Sequence, residues 1–262
     1  MRNRLIQLLS DNRRPYAPMS ARIVAPTGAA EGAEATVYLY DAIVGDRLTA
    51  EWWGGVCPQD FVPAFAAIQA DVIHLRVNSP GGDVFAAEAI CQALREHSAT
   101  VVAHIEGLAA SAATAVCCAA DEVVITPASK YMIHKTWTYA LGNADDMRAT
   151  AQLLDVCDGS LIEEYVRRTG NEAGQVEAWC AAETWFTAAQ AIEHKFADRL
   201  AESTGGTAAN AAARWNLRAY TRTPADLAQT SAPAPAAPDA ATPDHRDRQR
   251  QRLSRMALAH IV

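Results

Sequence analysis

No stretch of the chain carries the run of about 20 apolar residues that a membrane-crossing helix requires. The opening Met1-Arg2-Asn3-Arg4-Leu5-Ile6-Gln7-Leu8-Leu9 is basic and then briefly apolar. Asp11, Asn12, Arg13 and Arg14 end that stretch too early for a secretory signal, and no small-residue cleavage site follows closely. Paired cysteine spacing is missing as well. Cys57, Cys91, Cys117, Cys118, Cys157 and Cys180 form no CxxC and have no paired histidine ligands, and several lie among apolar residues, where cysteine acts as a small hydrophobe. Also absent are Gly-Lys-Ser/Thr and the GxGxxG spacing, which argues against nucleotide binding. These absences predict a reduced, cytoplasmic protein with no membrane contact, no metal and no cofactor.

Charge is scarce in the basic direction where it would matter for nucleic acid. The net charge of −7 is unevenly laid out: residues 1–22 hold five Arg against one Asp, and residues 201–262 hold eight Arg against five acids. The middle of the chain is therefore strongly acidic and has no nucleic-acid footprint.

What the chain does contain is length and patterning. Its 262 residues, half of them hydrophobic, suffice for one well-buried α/β domain with appendages. Thr36 to Ile43 reads as a strand, and Gln59 to Ile68 as a helix with Phe61, Ala64, Phe65 and Ile68 on one face. Val72 to Asn78 is short, β-branched and apolar. It breaks at Ser79-Pro80-Gly81-Gly82-Asp83, before a helical pattern over Val84 to Leu94. A further strand starts at Thr100. This alternation predicts a layered α/β fold with a largely parallel sheet. Ala144 to Arg168 reads as one long helix ended by Gly170, longer than a compact domain needs for cover. Residues 1–35 are predicted to be a basic arm and lead, and 36–200 the domain. Residues 201–262 are predicted to form a disordered Ala/Pro-rich tail, with five prolines between Thr223 and Pro243 and a short basic helix over Arg246 to Val262.

The chemistry concentrates in three places. Ser111 stands among small residues in Gly107-Leu108-Ala109-Ala110-Ser111-Ala112-Ala113-Thr114, after a β-rich stretch, so that a substrate backbone can approach its hydroxyl. The strand, Gly-Gly turn and helix around Gly81 and Gly82 can expose backbone N–H groups to an anion. His134 ends the apolar strand Lys130-Tyr131-Met132-Ile133. A serine becomes a nucleophile only when a base removes its proton, and the base needs a partner that fixes its tautomer. His104 is a weaker rival for that base, and Lys130 or Lys135 would serve a Ser-Lys variant.

These blocks resemble the Clp protease proteolytic subunit family in order and approximate spacing. The residues that carry the likeness are Val77-Asn78-Ser79-Pro80-Gly81-Gly82, Gly107 to Ala112, Met132-Ile133-His134 and Glu183-Thr184-Trp185-Phe186-Thr187-Ala188. The likeness spans roughly Thr36 to Leu200 and is greatest to the phage branch of Clp-like head maturation (prohead) proteases. It implies the crotonase-like spiral of ββα units, with the long helix as a handle between oligomeric rings. It implies Ser111 as nucleophile, His134 as general base, and Gly82 and Ala112 as oxyanion-hole N–H donors, with Gly81 beside them. Where the family generally has Asp, this chain has Glu183, whose carboxylate can orient an imidazole from one methylene farther out. Asp155 and Asp158 are the fallback acids. The implied activity is serine endopeptidase action on a scaffold, portal or capsid protein, in a homo-oligomeric ring. The tail would serve as tether, autoprocessing substrate or dock for a head component. Two other readings share the fold: a crotonase-type acyl-CoA enzyme, and a catalytically silent assembly protein.

Overall fold

A computed structural model describes residues 4–26, 32–202 and 215–228. Its frame is an eight-stranded sheet in which β1 (Ile23–Val24), β2 (Glu34–Leu39), β3 (Val72–Ser79), β4 (Thr100–Ala110), β5 (Glu122–Ile125) and β8 (Arg199–Leu200) lie side by side. In this row strands β2 to β5 and β8 run parallel, and only β1 is antiparallel to its neighbour. The expected parallel α/β layering is the observed architecture. Strands β2 and β3 alternate buried with partly exposed residues, Ile73, Leu75 and Val77 facing the main core and His74 and Arg76 the other side.

One strand departs from this simple order. The first half of β4 pairs with β5, Val102 to Ile105 facing Glu122 to Ile125, whereas Leu108 to Ala110 pair with Lys130 to Met132 of β6 (Lys130–Ile133). The change of partner falls at Gly107, whose φ of +128° is accessible to glycine and not to other residues. A side chain there would also meet the Asn78 amide, 3.1 Å from a Cβ. Ser129 Oγ accepts the Gly107 N–H at 2.7 Å and pins the bend. Strand β7 (Thr184–Thr187) then adds antiparallel to β6.

The helical layer is α3 (Pro58–Ala66), α4 (Val84–Glu96), α5 (Ala112–Cys118), α6 (Ala144–Thr169) and α7 (Ala173–Ala181), and α8 (Ala188–Glu193) follows β7. Local signals set their ends. Asp83 caps α4 by accepting the Ala86 N–H, and Asn143 and Asp146 form a reciprocal capping box at α6. Gly170 closes α6 in the left-handed conformation, as its sequence position predicts. The helix α2 (Arg47–Trp53), capped by Asp46, has no counterpart in the sequence reading. Only Tyr165 and Thr169 of α6 are buried, so most of this helix projects from the domain. Among the described residues no helix is long and apolar enough to cross a membrane.

Alternation along β4 and β6 divides their side chains between two cores. Ala109, Tyr131 and Ile133 face the main core with Phe61, Phe65, Ile90, Ile105 and Phe196. Leu108, Ala110 and Met132 face a second cluster with Leu8 of α1 (Arg4–Asp11) and Trp215, Leu217, Ala219 and Tyr220. The predicted boundary at residue 200 therefore differs from the structure in one respect. Residues 215–220 pack into the domain, because four apolar side chains there cover the second face of the sheet. Residues 203–214 and 229–262, which hold the proline-rich stretch and the proposed basic helix, lie outside the described residues.

Candidate active site

Strand register brings the three predicted side chains to one place. Ala110 pairs with Met132 in parallel, so Ser111 and His134 leave the same ends of neighbouring strands, and the Ser111 N–H donates to Met132 O at 2.8 Å. Ile133 pairs with Thr184 in antiparallel fashion, which sets Glu183 opposite His134 in the next strand. Three side chains from distant parts of the chain thus line up across β4, β6 and β7. The Ser111 hydroxyl and His134 Nε2 are 2.8 Å apart.

Ser111 sits at the junction of β4 and the fully buried helix α5, with φ +54° and ψ −128°. A non-glycine residue in that region is strained, and such strain persists only where the surroundings over-determine it. Here they do: the Ser111 N–H is held by β6, and its carbonyl accepts from the Thr114 N–H at 2.8 Å. The sharp turn lifts the hydroxyl out of the sheet into a cleft of about 140 Å³, lined among others by Gly82, Phe85, His134, Trp137 and Tyr220.

Gly81 and Gly82 form the opposite wall. Both have positive φ, +86° and +146°. A Cβ on Gly81 would lie 2.5 Å from Ala110 O and 3.0 Å from Ala112 N, so the glycine backbone packs directly on the Ser111 turn. Ile43 donates to Gly81 O and accepts from the Asp83 N–H. In a parallel bridge of that kind the N–H of the intervening Gly82 points away from Ile43.

His134 is buried and neutral. Burial lowers its pKa from 6.5 to about 4, against the raising effects of the Glu183 and Asp158 charges and of the Lys135 backbone, while Arg4 lowers it further. A neutral ring whose Nε2 faces a hydroxyl can accept that proton.

The carboxylates are arranged differently from expectation. Glu183 lies near enough to act on His134 electrostatically, yet its oxygens are taken by backbone: the Thr221 N–H donates to Oε2 at 2.9 Å and the Arg222 N–H to Oε1 at 2.5 Å. Glu183 itself has φ +48°. Asp158 accepts from the Thr136 N–H at 2.6 Å and the Thr136 hydroxyl at 2.7 Å, steadying the chain just beyond His134. Asp155 is exposed on α6. His104 is not at this site, because its Nε2 bonds His74 Nδ1 at 2.9 Å on the first half of β4. Lys135 approaches Asp158 at 3.9 Å. Among the described residues no cluster of His, Cys, Asp and Glu could hold a metal ion.

Residues 61–204, more than half of the chain, match the Clp protease family. The chain belongs to that family. The Clp protease proteolytic subunit 1 of Leifsonia xyli subsp. xyli, described as ATP-dependent, is 33% identical over 144 residues, covering 52% of this chain and 73% of the relative. A subunit 1 from Protochlamydia amoebophila is 31% identical over 131 residues, covering 48% and 64%. A point mutant of ClpP1 from Listeria monocytogenes superposes with a TM-score of 0.54 at 21% identity, over 65% of this chain and 93% of that one, which supports the fold alone. Clp family proteins form oligomeric rings and cleave polypeptides, and the match favours the peptidase reading over the acyl-CoA one. Gly82, Ser111, Ala112, His134 and Glu183 all fall inside the matched region.

Sequence reasoning missed Tyr220 and its neighbours, which lie beyond that region. The Tyr220 ring packs edge-on against His134 with centroids 5.3 Å apart, and its hydroxyl donates to Pro80 O at 2.5 Å. Trp215 Nε1 donates to Asn78 Oδ1 at 2.9 Å. The only available signal is a cluster of Trp215, Leu217 and Tyr220 after an Ala-rich stretch, and aromatic residues that dense rarely stay in solvent.

Proposed function

We propose that this chain is a serine endopeptidase in which Ser111 is the nucleophile and His134 the general base. The observation that carries the reading is the 2.8 Å contact between the Ser111 hydroxyl and His134 Nε2 beside a glycine turn with an outward N–H. An extended polypeptide lies along the Gly81-Gly82 edge and adds backbone hydrogen bonds, as strand addition commonly does. Ser111 Oγ attacks the scissile carbonyl while its proton passes to His134 Nε2. The resulting oxyanion is held by the N–H groups of Gly82 and Ala112, each contributing about 3 kcal/mol in the transition state. His134 then protonates the leaving amine, and water repeats the sequence on the acyl-enzyme. Glu183 is the acid whose charge favours the imidazolium as it forms, with Asp158 the second carboxylate acting on the ring.

The proposed setting is the cytoplasm and a homo-oligomeric ring. The exposed apolar residues Leu153 and Val156 on the projecting helix α6 support assembly. A narrower proposal follows the phage-branch resemblance: the polypeptide is a scaffold, portal or capsid protein processed during head maturation.

A fluorophosphonate probe and a peptide-cleavage assay test the reading together. The probe should form a covalent adduct at Ser111, and Ser111→Ala should lose cleavage by a factor on the order of 10⁶. Cleavage by Ser111→Ala at the wild-type rate would end it.

A further inference from the structure

The residues from Trp215 to Arg222 make an unusual set of contacts for a segment beyond the family match. Tyr220 lines the catalytic cleft, and the other anchors lie on the strand, turn and acid that frame it. Trp215 bonds Asn78 in the strand that leads to Pro80, and Tyr220 bonds the Pro80 carbonyl at the start of the glycine turn. The Tyr220 ring lies against His134, Trp137 and Trp185. Thr221 and Arg222 then take both oxygens of Glu183 through their N–H groups. One short segment therefore walls the cleft beside the nucleophile, engages the carbonyl ahead of the glycine turn and ties both oxygens of the acid to backbone N–H groups.

We propose that Trp215 to Arg222 is an autoinhibitory strap, a wall that narrows the cleft and must move aside before a substrate strand can bind and before Glu183 can turn to His134. The inference rests on the peptidase reading of Ser111. Two features indicate that the strapped arrangement is poised for release. Among the described residues, the indole N–H groups of Trp137 and Trp185, both packed around Tyr220, are buried without a hydrogen-bond partner. A buried donor left unpaired carries a desolvation penalty that opening to water removes. The Glu183 clamp is itself exposed, so water can replace the two strap N–H groups at little cost.

The strap differs from a structural prop in the direction of its effect. A prop that positions Glu183 speeds reaction at Ser111, whereas a strap that narrows the cleft slows it. The test is the rate of fluorophosphonate labelling of Ser111 in the full-length chain, with peptide cleavage measured alongside. Tyr220→Ala removes the ring and the Pro80 bond, and Thr221→Pro removes one N–H of the Glu183 clamp at an exposed position while keeping the Tyr220 side chain. Thermal melts establish that each variant is folded, and the proline variant decides the matter if Tyr220→Ala is not. Labelling in the variants should be faster than in wild type by about tenfold, the population shift expected on losing a hydrogen bond and a ring contact from the closed state. The apparent KM for peptide should fall in parallel. Labelling of folded variants at or below the wild-type rate would overturn the strap. Absence of labelling in wild type and variants alike would instead overturn Ser111 as nucleophile, and the strap with it.

Discussion

Acid should cost this protein stability through the His134 ring, in addition to His104, whose pKa is also lowered to about 4 by burial. His134 is buried with its pKa lowered from 6.5 to about 4. The unfolded chain takes up a proton at this position as the pH falls through 6.5, but the folded chain takes it up only near 4. Between those values the unfolded state binds more protons, so stability rises with pH and is lost as acid is added. At pH 4.5 the difference amounts to about 2 to 3 kcal/mol, from a shift near 2.5 units at about 1.4 kcal/mol each. Other groups titrate in the same range, so the measurement is a comparison. Urea unfolding of wild type and His134→Gln at pH 7 and pH 4.5 should show the wild type losing that much more than the variant, which has no ring to protonate. Equal losses in the two proteins would mean that the folded ring accepts its proton as readily as a solvated one. The inference of a neutral base sealed under Tyr220 would then fail.

Three further outcomes follow from the same geometry. Gly82→Ala would place a methyl 1.9 Å from Ile43 O in a backbone region closed to alanine, and denaturant melts should show a loss of about 3 kcal/mol or more. Asp158→Ala removes the acceptor for both the N–H and the hydroxyl of Thr136, which should cost about 1 to 3 kcal/mol. It also deletes a charge that raises the His134 pKa, so the acid limb of the cleavage profile should move to lower pH. Val156→Arg changes an exposed side chain on the projecting part of α6, so the melt of the subunit should move by less than about 0.5 kcal/mol, while native mass spectrometry should show smaller assemblies.

Much of this arrangement is readable from residue types. The β3, α4 and β4 segments announce themselves through β-branched runs broken at Ser79-Pro80-Gly81-Gly82, and α6 through its period and its Gly170 stop. The small residues around Ser111 and the lone histidine after an apolar strand mark the cleft. What the sequence withholds is register. Nothing in the composition of β4 says that it trades β5 for β6 at Gly107, since a glycine in a strand fits a bulge, a bend or a close approach equally well. The fate of Glu183 is hidden for a related reason. Its partners are backbone N–H groups of Thr221 and Arg222, and any residue except proline supplies those. The short helix α2 escapes because its seven residues carry too few periods to separate from a loop, and only its Asp46 cap distinguishes it.

The bend at Gly107 bears on how such a cleft can diversify. The spacing of hydroxyl and imidazole follows from the ladder between two adjacent strands, with the Thr136 bonds to Asp158 steadying the chain just past the histidine. The segment beyond Thr136 and the outer turns of α6 can therefore lengthen, shorten or change character and so admit a different polypeptide. The reacting atoms would stay in place through such changes: what fits can drift while what reacts holds still.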